Sequence, residues 1–265
     1  MATIQFNDVE RTFRQGNRDV VALRGVNLQV GAREFVAIVG PSGCGKTTCM
    51  RMAAGLDQPT GGCVMVDSEV VTRPGPERAV VFQQFALFPW KTVWDNIGFG
   101  LHGLGIAAAE RTKRIRQHIA LMGLEGYEKA FPHQLSGGMQ QRVAIARVYV
   151  LDPKVLLMDE PFGALDAQTR VVMQEELVRL TRRHPRTVLF ITHAVEEAVY
   201  LADRVVVMTR RPGTVRDIIA IKPVREAEGW DALTRIEDVM EQPSFVQLRA
   251  RIWKQLREPH DRGAH

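Results

Sequence analysis

Gly40-Pro41-Ser42-Gly43-Cys44-Gly45-Lys46-Thr47-Thr48 follows directly on Glu34-Phe35-Val36-Ala37-Ile38-Val39, and the junction decides the fold. The residues from Phe35 to Val39 are mostly large and apolar, which suits a strand buried on both faces of a parallel sheet. Gly40, Gly43 and Gly45 permit a tight turn whose backbone N–H groups converge on phosphate oxygens. The helix predicted from Thr47 to Ala54 aims its positive end at the same point. Lys46 offers a cation to β and γ phosphates, and Thr47 offers a hydroxyl to Mg²⁺. The bland alternative is a glycine-rich turn with a solvated lysine, and the strand before and helix after count against it.

Outward from this cradle the constraints are looser. A chain of 265 residues with net charge +5 accommodates one large α/β domain with a subdomain or tail. The mild basic excess, pI about 9.4, suits a nucleotide, a nucleic acid or an anionic membrane equally well. Cys44, Cys49 and Cys63 form no C-x-x-C pair and leave an odd number, so neither a disulfide framework nor a zinc site is expected, and a reducing cytosol is. Cys44 lies in the cradle itself; alkylation there is expected to block the nucleotide. Met1-Ala2-Thr3-Ile4-Gln5 has neither the charged nor the apolar region of an export signal, and no segment approaches about 20 apolar residues. The chain is expected to be neither exported nor membrane-spanning.

Ahead of the cradle, Ile4 to Phe6, Val20 to Leu23 and Val26 to Val30 read as short antiparallel strands, broken at Gly16-Asn17 and Gly31-Ala32. Phe13 falls in the first connection, where core packing is its default role and stacking on a purine the alternative. Behind the cradle, Cys63 to Val66 and Ala79 to Phe82 read as strands. Gln83 then sits at the C-terminal strand edge, where open α/β sheets hold ligands. Phe85-Ala86-Leu87-Phe88-Pro89-Trp90 concentrates aromatics in a predicted loop, as either a core segment or a docking surface would.

Helical periodicity follows over Val93 to Leu101, Ala107 to Met122 and Gly137 to Val150, an inserted helical subdomain. Arg111, Lys113, Arg114 and Arg116 read as its solvated face. Ser136 is a good N-cap for the third helix, and Gly137-Gly138 leave its first N–H groups open as a second anion site. Val155 to Glu160 is a buried strand ending in two carboxylates, whose desolvation calls for a nearby cation. Asp159 is placed on the metal and Glu160 toward a water. Thr187 to Thr192, ending at His193, Arg204 to Thr209 and Thr214 to Ile221 complete the strands, with Arg211-Pro212-Gly213 as the last turn. Phe245, Leu248, Ile252 and Leu256 share one face of a tail helix that docks somewhere.

Taken together, Gly40 to Thr47, Gln83, Leu135 to Gln141, Val155 to Glu160 and His193 resemble the nucleotide-binding subunit of ABC transporters, from about Thr3 to Ile221. The resemblance implies a P-loop NTPase of RecA-like α/β fold: a mostly parallel sheet core with an N-terminal antiparallel β layer and an inserted helical subdomain. It divides the chain into an ATPase domain, 1–221 (core 3–92 and 151–221, helical signature subdomain 93–150), and a helical tail, 222–265. It implies ATP and Mg²⁺ as cofactors, ATP being held by Phe13 on adenine, by Gly40, Pro41, Ser42, Gly43, Cys44, Gly45, Lys46, Thr47 and Thr48, and by the signature Ser136, Gly137, Gly138 and Gln140. Thr47, Gln83 and Asp159 would attend the metal, Glu160 would be the general base, Asp166 would lie in the loop crossing between subunits, and His193 would be the switch histidine. Lys46 and Gln83 join Glu160 and His193 as the catalytic set.

Phe82-Gln83-Gln84, Leu87 to Trp90, Pro132 to Met139, Asp159 to Asp166, Arg211-Pro212-Gly213 and Pro243 to Arg249 resemble the nitrate, sulfonate and taurine importer branch. That implies paired ATPase copies at the cytoplasmic face of an inner membrane, a separate permease and an extracytoplasmic solute-binding protein, with no nucleic acid. Arg147-Val148-Tyr149 departs from the family's usual A-R-A pattern, on the helix behind the signature. The rival is a soluble mechanochemical ABC ATPase acting on nucleic acid or ribosomes, which usually carries a long coiled coil or tandem ATPase units. A non-catalytic scaffold is opposed by the intact Lys46, Asp159, Glu160 and His193.

Overall fold

The computed structural model describes residues 2–16, 18–233 and 235–258. Asn17 of the Gly16-Asn17 break and the tail beyond 258 therefore lie outside the described residues. Strands β1 (Ile4–Gln15) and β2 (Arg18–Val30) form a long antiparallel hairpin, followed by β3 (Phe35–Val39), α1 (Lys46–Ala54), β4 (Gly61–Val66), β5 (Glu69–Val70) and β6 (Arg78–Val81). The helices α2 (Val93–Gly98), α3 (Ala108–Leu121) and α4 (Gly137–Tyr149) come next. The chain then alternates β7 (Val155–Asp159), α5 (Ala167–Arg183), β8 (Thr187–Ile191), α6 (Val195–Leu201), β9 (Arg204–Met208) and β10 (Val215–Ala220), and closes with α7 (Lys222–Ala227), α8 (Ile236–Met240) and α9 (Pro243–Arg257).

Two sheets result. One is antiparallel, in the order β2-β1-β4-β5; the other runs β10-β9-β3-β8-β7-β6 and is parallel except for β10 at its edge. All of β3 and β8 is buried, because α1 and the antiparallel sheet cover one face of the parallel sheet and the remaining helices cover the other. This is the expected α/β P-loop architecture. Parallel strands carry their C-terminal ends to one edge, so the residues after Val39, Val81, Asp159 and Ile191 meet there.

Several local readings change. The short predicted strands of the first layer are two continuous ones, and Phe13 lies on β1 opposite Val20 rather than in a connection. Irregular register, with Gly25 at φ 56, lets one strand pass through what reads as a break. Phe82 falls outside β6 and is 39% exposed. The helix predicted to reach Leu101 tightens after Gly98 into a 3₁₀ turn over Phe99–Leu104, and α5 and α6 were not anticipated as helices.

Behind the cradle the tail folds back onto the core. Phe245, Ile252 and Trp230 are buried in the same apolar cluster as Phe35 and Val205, and α9 packs on α6 and β9. Leu248 and Leu256 pack half-buried beside them, as the helical spacing predicts.

Candidate functional site

The cradle is built by steric necessity as well as by sequence. Gly45 adopts φ 100, and a Cβ on it would stand 2.4 Å from Leu23 Cδ2; one on Gly40 would stand 2.6 Å from Cys44 Sγ. Only glycine fits at Gly45, and a side chain on Gly40 would have to displace the Cys44 thiol. The loop delivers its chain into α1, and Lys46, the first residue of that helix, is only 7% exposed. Its Nζ donates to the carbonyls of Gly40 (2.8 Å) and Pro41 (3.3 Å), which holds an ammonium beneath the loop's N–H groups.

At the neighbouring strand end, Thr47 Oγ1 donates to Asp159 Oδ1 at 3.2 Å. Burial pushes the Asp159 carboxyl above its ordinary range, while the Thr47 hydroxyl and Lys46 oppose the shift. A hydroxyl and a partly desolvated carboxylate side by side suit Mg²⁺, which takes one or two protein oxygens and fills its shell with phosphate and water. Among the described residues there is no cluster of three or more His, Cys, Asp or Glu that would hold a metal by itself, so the ion would depend on the nucleotide's own oxygens.

Glu160 follows at φ 46, a left-handed turn that lifts its carboxylate off the end of β7. Its Oε2 meets His193 Nδ1 at 3.1 Å and accepts from Gln83 Nε2 at 3.4 Å. Oε1 has no hydrogen bond among the described residues, so one carboxylate oxygen is oriented and the other is open. The residues on either side of His193 belong to a buried network. Thr192 Oγ1 donates to Glu197 Oε2 (2.5 Å), Gln174 Nε2 donates to Glu197 Oε1 (3.0 Å), and the Ala194 N–H donates back to Thr192 Oγ1 (3.0 Å). Burial pushes the Glu197 carboxyl above its ordinary range against these bonds.

A cavity of about 390 Å³ gathers Phe13, Ser42 to Thr48, Glu160 and His193. The Arg11 guanidinium covers one face of the Phe13 ring, 4.6 Å from its centroid. Gly40 and Pro41 form the base of the loop, and Gln83 reaches the site through Glu160. Two features escaped the sequence reading. Arg211 is a wall of this cavity, and the Thr192–Glu197–Gln174 network ties down the residues that flank the histidine. The first could have been suspected from the placement of Arg211-Pro212-Gly213 after a strand; nothing in the chain order announces the second.

The remaining site residues lie elsewhere. Ser136 caps α4 by accepting from the Met139 N–H at 3.3 Å, and Gln140 Nε2 ties the turn to the carbonyls of Pro132 (2.9 Å) and Leu135 (3.2 Å). A Cβ on Gly138 would stand 2.5 Å from Thr169 Cγ2. Asp166 caps α5 by accepting from the Thr169 N–H and hydroxyl, which hold its carboxyl below the ordinary range. Ser136, Gly138 and Thr169 line a second cavity of about 740 Å³ that shares no residue with the first. Within one chain, signature and cradle are not brought together.

On the far side, the Phe85 to Trp90 loop is fastened by buried Asn96, whose amide bonds Phe88, Lys91 and Thr92, and by Arg147, which donates to the carbonyls of Ala86 (2.7 Å) and Phe85 (3.1 Å). The departure at Arg147-Val148-Tyr149 therefore leaves the arginine packed and bonded. Trp90 stays 70% exposed beside Phe88 and the half-exposed Phe99.

Comparison with known proteins agrees with this geometry. Residues 23–163 match the family described as ABC transporter. An uncharacterized ABC transporter ATP-binding protein of Methanocaldococcus jannaschii is 55% identical over 206 residues, 78% of this chain and 77% of that protein. The nitrate import ATP-binding protein NrtD of Synechocystis is 44% identical over 254 residues, 96% and 95% of the two chains. Among solved structures, the dimeric post-hydrolysis state of an ATP-binding cassette bound to ADP and Pi superposes with a TM-score of 0.71 at 32% identity, covering 82% of this chain and 98% of that one. On these matches the chain belongs to the ABC transporter family, as an ATP-hydrolysing nucleotide-binding protein.

Proposed function

We propose that this chain is the ATPase subunit of an importer for a small anion of the nitrate, sulfonate or taurine type, working as a pair of copies on a separate permease fed by an extracytoplasmic solute-binding protein. The observation that carries the reading is that the cradle residues Ser42 to Thr48 and the signature residues Ser136 and Gly138 line two cavities with no residue in common. Two copies placed head to tail would bring Ser136, Gly137, Gly138 and Gln140 of one over ATP held by the other, with Asp166 at the crossing. Similarity to a nitrate import protein along nearly the whole chain supports the solute class.

In this reading adenine takes the face of Phe13 that Arg11 leaves open, Ser42 to Thr48 wrap the phosphates, and Lys46 turns its ammonium from the loop carbonyls to the β and γ oxygens. Thr47 and Asp159 would hold Mg²⁺ with Gln83 nearby, and the ion supplies charge neutralisation on the phosphoryl oxygens. Glu160, steadied at Oε2 by His193 and Gln83, takes a proton from water at Oε1, worth roughly 10² to 10⁴ in rate. His193 and Lys46 meet the charge that develops on the transferring group. Residues 1–221 are the ATPase domain, with 93–150 as its signature subdomain, and 222–265 a tail whose described helices pack on its core.

Among the described residues no helix is long and apolar enough to cross a membrane, and an exposed Trp90 on a bonded loop suits docking to a permease from the cytoplasmic side. The test is stimulation. ATPase activity is expected to rise when membranes containing the cognate permease and solute-binding protein are supplied with nitrate, sulfonate or taurine. A response instead to nucleic acid, with steep salt dependence, would overturn the importer reading while leaving the ATPase.

A further inference from the structure

Arg211-Pro212-Gly213 reads in sequence as a turn and nothing more, yet the fold fastens that turn against the phosphate cradle from several sides. The Gly213 N–H donates to the Ala22 carbonyl at 2.8 Å, and the Arg24 N–H donates to the Gly213 carbonyl at 3.1 Å, which fixes the turn to β2. Thr209 Oγ1 bonds the Pro212 carbonyl at 3.1 Å and accepts from the Thr214 N–H at 3.0 Å, closing the turn on itself. Gly213 is pressed so closely on the loop that a Cβ there would stand 1.9 Å from the Cys44 carbonyl oxygen. These contacts leave the turn little freedom, and what they present to the cradle is one side chain. Arg211 forms part of the cavity wall, its Nη2 lying 3.8 Å from where a Cβ on Gly43 would be. It is exposed, and among the described residues its guanidinium makes no hydrogen bond or ion pair.

An unpaired guanidinium held beside a loop of inward-facing N–H groups is poised for an anion, and its forked donors suit phosphate oxygens. The two cations of the cavity differ in kind. Lys46 is buried under the loop, whereas Arg211 stands at the mouth, on the β9–β10 turn of the same chain. From this placement we propose that Arg211 is a nucleotide-binding residue that grips the phosphate chain of ATP as it enters the single subunit, before a second copy closes over it.

The proposal rests on the nucleotide reading of the cradle and deepens it. Because Arg211 acts in the single subunit, its contribution belongs to uptake: Kd and KM for ATP change, and kcat at saturating ATP does not. Since the guanidinium has no partner to lose among the described residues, the substitution leaves the fold intact.

The experiment measures affinities of the full chain for ATP, ADP and adenosine, by competition against a fluorescent nucleotide, in Arg211→Ala, Arg211→Lys and Lys46→Ala. Loss of a charge-assisted bond predicts that Arg211→Ala weakens ATP roughly tenfold, with Tm unchanged, adenosine unaffected and a smaller penalty for Arg211→Lys, which keeps the charge but not the fork. Added salt reduces the difference between wild type and Arg211→Ala, as for an exposed charge at the mouth. Weakening of ADP as well as ATP assigns the contact to the inner phosphates, and weakening of ATP alone assigns it to the γ phosphate. Equal weakening of adenosine, a loss confined to kcat, or unchanged ATP affinity overturns the assignment. Lys46→Ala keeps the two readings apart: if it too leaves ATP affinity unchanged, the cradle itself has been misread.

Discussion

The cradle edge and the signature turn are both glycine-rich starts of a helix, yet they are built for opposite circumstances. At the cradle the charged groups of the loop and strand ends are engaged inside the chain, Arg211 at the mouth excepted: Lys46 by carbonyls, Asp159 by Thr47, Glu160 by His193 and Gln83. Around the signature, Ser136 and Gln140 only close their own turn, and the adjoining cavity is walled by Met139, Val172 and Thr169, with Arg142 committed to Glu176 at 2.5 Å. In the proposed function the first region would carry the chemistry and the second a surface to be matched. A chain holding two unlike half-sites can finish neither alone, so chemistry and closure should separate under mutation.

The largest effect is expected from Glu160→Gln. Removing the proton acceptor while keeping the amide's size should lower phosphate release by roughly 10² to 10⁴, with ATP affinity retained. Light scattering of that variant with ATP should find dimers. Only lone subunits, even with the membrane partner present, would break the comparison, because the signature would then have no nucleotide to cover.

The reciprocal change is Gly138→Ala, whose new methyl would meet Thr169 Cγ2 at 2.5 Å. Overpacking of about 1 to 3 kcal/mol at the matching surface should weaken ATP-driven dimerisation in the Glu160→Gln background roughly tenfold or more. The single subunit should bind ATP as before, since the two cavities share no residue. Equal damage to ATP binding by the isolated subunit would show that the halves are coupled within one chain.

Local sequence carried the first region almost completely and the second in outline. Phe35 to Thr48 and Val155 to Glu160 could be read because strand, turn and reactive residues are contiguous, so period and punctuation speak for the same few residues. Phe13 was misplaced because long-range pairing with Val20 overrides the apparent break between short strands. For Arg211 the sequence offers only its place after a strand as a hint, because it is the pairing of β3 with β9, Val39 opposite Val207, that brings its turn alongside Gly43. Gln174 and Glu197 gave no signal, being ordinary polar residues of α5 and α6 until packing removes them from water.

Cys44 sharpens the same point at smaller scale. Its place in the loop predicts a thiol whose alkylation blocks nucleotide, but the side chain is 1% exposed, tucked under Gly40, and burial pushes the thiol up. Thiolate is the reactive form. Alkylation at neutral pH is therefore expected to label the half-buried Cys63 well before Cys44, as peptide mapping over time would record. Rapid labelling of Cys44 with full ATP protection would mean that the empty cradle opens more than its packing suggests.

The smallest effect expected belongs to Glu197, and it tests whether the cradle edge is as fully engaged as its bonds imply. Burial raises this carboxyl despite donors from Thr192 and Gln174, so between its ordinary value near 4.5 and the raised one the folded chain binds a proton that the unfolded chain has released. Stability from this group is thus present at and below the ordinary value, and is lost as pH rises through the raised one. Glu197→Gln fixes the neutral form, with an amide oxygen for the Thr192 hydroxyl. Denaturant titrations across that interval should show a shallower decline with pH than in wild type, and ATPase activity should stay close to wild type if His193 keeps its place. A decline of the same slope in both proteins would mean that Glu197 titrates normally and that the histidine rests on some other support.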